Sequence, residues 1–141
     1  EDGRFVLAGR GRLGSVVGPD IGAVPADLRF FSGGGGTVRG QPYQSLGVDL
    51  EGSLAGGLSF AALSGEVRAS LGDRFGLVGF VDAGFVGETA LPGEAGSVHA
   101  GAGLGVRYDT GLGPIRLDIA VPVTESPGAS FFLYVGIGQA F

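Results

Sequence analysis

Alternation constrains this chain more than any other feature. Over residues 115–123, Ile115, Leu117, Ile119, Val121 and Val123 share one face, and Arg116, Asp118, Ala120 and Pro122 share the other. A repeat of two is the strand period, whereas a helix repeats near 3.6. Over 98–109 one face carries Val98, Ala100, Ala102, Leu104, Val106 and Tyr108, and the other His99, Gly101, Gly103, Gly105, Arg107 and Asp109. Over 75–86, Phe75, Leu77, Gly79, Val81, Ala83 and Phe85 lie opposite Asp82. Residues Phe131, Leu133, Val135, Ile137 and Phe141 align near the end, with Gln139 the polar exception. Near the start, Phe5, Leu7 and Leu13 oppose Arg4, Arg10 and Arg12. Residues 57–71 are ambiguous, because Leu63, Val67 and Leu71 also fit a helical spacing. Gly65 within that run and the strands around it favour a strand.

Composition decides whether such strands have anything to bury. With 31 Gly and 7 Pro in 141 residues, the chain approaches the range of low-complexity sequence. Yet 15 Leu, 15 Val, 4 Ile and 10 Phe put its large apolar content well above the level at which chains stay disordered. The absence of Cys removes disulfides, thiolate zinc sites and thiol nucleophiles. A net charge of −5 opposes nucleic acid as a partner. The longest uncharged stretch, 126–141, is 16 residues and is broken by Pro127 and Gly128. A spanning helix needs about 20 apolar residues, so any crossing of a membrane falls to strands.

The connections are of two kinds. Residues 72–74 and 110–114 are tight turns, while 87–97, 124–130 and above all 18–56 are longer. Strands of about ten residues joined alternately by short turns and long loops characterise transmembrane barrels. Each strand keeps its charges on one face, as a lumenal side requires. A soluble β-sandwich is the alternative, but its strands usually run to about five or six residues. The expected fold is therefore all-β, an antiparallel up-and-down transmembrane β-barrel. Its apolar faces, Leu104 and Ile119 among them, should meet lipid, and Gly103→Ser on the lumenal side should be mild.

Catalytic motifs are weak. GRGRLG at 9–14 has the form GxGxxG, but no helical pattern follows it. The glycine run 33–36 lacks the Lys-Ser/Thr of a phosphate loop, and no GxSxG elbow occurs. His99, the only histidine, has no evident metal or triad partner. No enzyme, metal or cofactor is expected. Arg39 stands apart because it follows a glycine-rich loop segment, while Glu66 and Asp82 lie on the charged face of two strands. A guanidinium matches carboxylates in a bidentate way, so a loop folded inward would let Arg39 reach them.

The ordered set LRFFSGGGGTVRGQPYQSLG, SGEVRASLGDRFGLVGFVDAGFV, HAGAGLGVRYDTGLGPIRLDIAVP and LYVGIGQAF resembles the barrel of the TamA/BamA family of outer-membrane assembly factors, closer to TamA. The resemblance covers essentially the whole chain. It implies a sixteen-stranded barrel preceded by periplasmic POTRA domains, of which this chain is the C-terminal six strands, near 4–17, 57–71, 75–87, 98–109, 114–123 and 131–141. It further implies that 18–56 is an extracellular loop folding into the lumen, carried by a motif that includes Gly36, Val38, Arg39 and Gly40, with Glu66 and Asp82 as the partners of the arginine. Gln41 stands where an aromatic usually follows VRG. The implied function is insertion or translocation of unfolded outer-membrane proteins in a Gram-negative bacterium, with outer-membrane lipid and a periplasm-spanning component as further partners. A client strand would add at a lateral gate formed by the last strand, where Gly136 and Gly138 weaken the seam and Phe141 is a C-terminal assembly signal. A plain exposed edge already templates strand addition. The alternatives are a passive pore or small structural barrel, and a soluble all-β binding domain.

Overall fold

The structure is a computed structural model and describes residues 4–18, 20–25, 28–33, 37–41, 47–90, 96–124 and 130–138. Six long strands form one antiparallel sheet: β1 (Phe5–Ser15), β4 (Ser59–Leu71), β5 (Phe75–Gly87), β6 (Gly96–Thr110), β7 (Gly113–Pro122) and β8 (Phe132–Ile137). They neighbour one another in that order. Between β1 and β4 lie a 3-10 turn, Ile21–Ala23, and a small separate hairpin of β2 (Val48–Leu50) and β3 (Ser53–Ala55). Among the described residues no helix is long and apolar enough to cross a membrane.

Register turns the sequence alternation into two unlike faces. Leu7 pairs with Val67, Val67 with Gly79, Gly79 with Leu104, Leu104 with Ile119 and Ile119 with Leu133. The large side chains of that row are all exposed, Leu104 at 73% and Leu7 at 82%. A face so apolar suits hydrocarbon and would be a liability in water. The next row holds Ala8, Glu66, Phe80, Gly103, Ala120 and Phe132. It faces the other way, and there Glu66, Phe80 and Ala120 are buried.

The loop between β1 and β4 supplies the cover. Val38 and Val48 pack with Phe60, Ala62 and Val86 of the sheet, flanked by Ile21, Phe30 and Ala55. Phe30 stacks on Phe60 at 5.9 Å between ring centroids and forms a bridge to Gly57. A second cluster of Val78, Phe80 and Ala120 lies toward β8, with Tyr134 against it.

Two expectations need correction. Residues 18–56 are not featureless loop: β2 and β3 meet across a two-residue turn, Glu51–Gly52, with φ of 53° and 82°. Positive φ at both central residues matches the twist that a two-residue hairpin needs. Gly103→Ser is not mild either. A Cβ there would lie 2.5 Å from the Phe80 ring and 2.9 Å from the Ala120 backbone, and backbone has little room to give. Of the last strand expected over 131–141, β8 covers Phe132–Ile137, and residues 139–141 lie outside the described residues.

Candidate functional site

The buried charges of the sheet gather beneath one loop residue. Val38 and Arg39 are carried down to the sheet by the loop, and Gly33 N–H donates to Thr37 Oγ1 at 2.8 Å across the base of the glycine run. Arg39 is 2% exposed. Its Nε donates to Asp82 Oδ2 at 2.6 Å and its Nη2 to Asp82 Oδ1 at 2.9 Å, a bidentate fork. Its backbone N–H donates to the same Oδ2 at 3.1 Å. Nη1 donates to Glu66 Oε1 at 2.6 Å and stands 3.6 Å from Asp118 Oδ2. The guanidinium carbon also sits 3.6 Å from the centroid of Phe80, so the cation has an aromatic face as well as carboxylates. Arg39 thus meets β4, β5 and β7 through one side chain.

Each element delivers its group by register. Asp82 is paired with Ser64 and Gly101, two rows from Glu66 and Phe80 and so on the same face. Asp118 enters from β7 two rows to the other side of Phe80, opposite Gly105. The acids are not equivalent. Glu66 has a second partner, Arg68, whose Nε donates to Oε2 at 2.8 Å. Asp118 has Arg107, whose Nη1 donates to Oδ1 at 2.5 Å, and Arg116 at 3.6 Å. Asp82 accepts three hydrogen bonds from Arg39. Burial disfavours a charged Arg39, but hydrogen bonds and charge from Asp82, then Glu66, outweigh it and hold its pKa above the ordinary arginine value. The cation is therefore permanent at any pH the molecule meets.

The loop tip is seated by close backbone approach. Gly40 has φ of 93°, and a Cβ there would meet the Val121 backbone carbon at 2.9 Å. Opposite it, a Cβ on Gly101 would meet the Arg39 carbonyl carbon at 2.8 Å. Only glycine at both positions lets the two backbones touch. Gly40 N–H donates to the Tyr134 hydroxyl at 3.1 Å. Gln41, fully buried, donates from Nε2 to the Ala100 carbonyl at 3.0 Å and to Thr124 Oγ1 at 3.2 Å. Polar contacts thus hold the position after VRG.

The structure brings Arg39, Glu66 and Asp82 together, with Val38 packed beside them and Gly40 at the tip. Gly136 and Gly138 lie apart from that group, on β8 and just after it. A Cβ on Gly136 would stand 3.3 Å from Arg116 Nη2, so this glycine makes room for an inward arginine. Gly138 has φ of 91°, and its N–H donates to the Pro114 carbonyl at 2.7 Å, beyond the last ladder pair. Gly36 and Phe141 lie outside the described residues. Three side chains at the site escape the sequence argument: Phe80, Asp118 and Tyr134. Asp118 carries the same signal as Glu66 and Asp82, an acid on the charged face of a strand. Phe80 and Tyr134 carry none, because an inward aromatic has no partner in a one-dimensional pattern.

A comparison with known families agrees with this architecture. A family model, the Omp85 superfamily domain, matches residues 1–141. That superfamily is associated with the outer membrane of Gram-negative bacteria and, in general, with insertion or translocation of outer-membrane proteins. The open antiparallel sheet, apolar outside and charged beneath its loop, is accordingly part of a β-barrel, and the chain belongs to the Omp85 superfamily.

Proposed function

We propose that this chain is the C-terminal portion of a sixteen-stranded outer-membrane barrel, closer to TamA than to BamA, that assembles or translocates other outer-membrane proteins and catalyses no reaction. In this reading POTRA domains precede the barrel, and 18–56 is an extracellular loop folded into the lumen. Arg39, Glu66 and Asp82 anchor that loop, and Gly36, Val38 and Gly40 shape its tip. The last strand, with Gly136, Gly138 and Phe141, forms one side of a lateral gate. Unfolded clients add a strand at its edge, where backbone donors and acceptors are available for pairing.

One observation carries the reading: a loop arginine is buried in bidentate contact with one wall strand and hydrogen-bonded to a second. Ordering a long loop is entropically costly, and the buried anchor offsets that cost. The decisive experiment is a disulfide tying the last strand to the first strand of the complete barrel. Client insertion should fall to background when it forms and recover on reduction, with the barrel folded throughout. Full insertion with the crosslink in place would leave the passive pore as the better reading.

A further inference from the structure

We infer that Tyr134 couples the lumenal loop to the last strand, so that displacement of β8 and release of the loop tip are one event. The inference rests on the gate reading above and adds the residue that would transmit it. Three observations place Tyr134 there. Its hydroxyl accepts the Gly40 N–H at 3.1 Å, which is the hydrogen bond from the VRG segment to β8. Its ring packs against Val78, Phe80 and Ala120, and Phe80 carries the Arg39 guanidinium on its face at 3.6 Å. Tyr134 also lies near stacking distance of Phe132 on its own strand, at 6.5 Å and 17° between rings.

The geometry makes the two contacts interdependent. Gly40 is pressed against Val121 and Gly101, so water has little room to replace a departing hydroxyl at its N–H. If β8 swings away, a buried donor loses its acceptor and the Phe80 cluster loses one wall. Conversely, if the loop tip lifts, the Tyr134 hydroxyl loses its donor and the Phe80 ring beside it loses the guanidinium on its face. Such coupling is reciprocal by thermodynamic necessity. β8 is also the strand best able to move, since it is the shortest of the six and lies at the sheet end.

Tyr134→Phe in the full-length protein tests this, because it removes the hydroxyl and leaves the ring. Two readouts are followed: the rate at which a cysteine pair across the seam crosslinks, and the rate at which maleimide labels a cysteine placed at Thr37. A lost hydrogen bond of ordinary net strength corresponds to roughly a 2- to 10-fold shift, and both rates should rise by a similar factor. In an Arg39→Ala background the same Tyr134→Phe change should add almost nothing to either rate. A rise in labelling alone, or two unchanged rates, with the seam disulfide still blocking insertion, would overturn the coupling and leave the gate standing. A seam disulfide that permits full insertion would overturn the gate itself, and this inference with it.

Discussion

Arg39 is held by three carboxylates whose dependence on it differs. Asp82 accepts three hydrogen bonds from Arg39, while Glu66 also has Arg68 and Asp118 also has Arg107. Exposed ion pairs contribute about 0–1 kcal/mol, but removing one partner of a buried pair typically costs about 3–5 kcal/mol, because the other charge is stranded. Asp82→Ala should therefore destabilise the complete barrel more than Glu66→Ala, measured by urea refolding of both variants. Asp82→Ala takes away the bidentate fork, whereas Glu66→Ala leaves it in place. Equal costs would mean that the fork contributes no more than the single bond to Glu66. The charged members of the site are legible from sequence because alternation puts charge on one face and a loop arginine needs partners there. Phe80 is not, since nothing in a linear pattern tells an inward phenylalanine under a cation from one packed against leucine.

At the scale of the element, alternation identified the strands of ten residues or more, as in β5 to β7, left β4 to be decided by its context, and failed for the three-residue strands β2 and β3. Three residues hold too few repeats to register a period, and Glu51–Gly52 lacks the Asn-Gly or Asp-Gly signature of such turns. The faces were legible, but the spacing between the sheet and what lies over it was not. Gly103 illustrates the difference: its position on the charged face follows from sequence, while the Phe80 ring and the Ala120 backbone against it follow only from tertiary packing. Two substitutions on adjacent residues of β6 test this. Leu104→Arg should cost about 2–4 kcal/mol if its site lies near the bilayer midplane. Gly103→Ser should also be costly, about 1–3 kcal/mol, by overpacking rather than desolvation. A refolding titration in lipid separates the two, because the cost of the arginine depends on the bilayer and that of the serine does not. A neutral Leu104→Arg would contradict the assignment of the outer face.

At the largest scale, the six long strands form one sheet with β1 and β8 at its edges and one loop over its inner face. That loop touches β1 through Phe30 (whose ring lies over Gly14), β4, β5 and β7 through Arg39, β6 through Gln41 and β8 through Gly40. Its contacts therefore reach all six wall strands, which makes the seating of the loop a property of the sheet and not of one pair. The order of strands was legible in the sequence because short turns make β4–β5 and β6–β7 neighbours and the up-and-down barrel pattern pairs the rest in chain order. How far the loop reaches was not, because reach depends on where glycines let backbones meet. The most direct test of the account is the client-insertion rate of full-length Arg39→Ala, measured on protein whose barrel is shown to be folded. The account predicts at least a tenfold fall in insertion, together with faster labelling of a cysteine at Thr37, and only partial recovery in Arg39→Lys. A folded Arg39→Ala protein that inserts clients at the wild-type rate would contradict it.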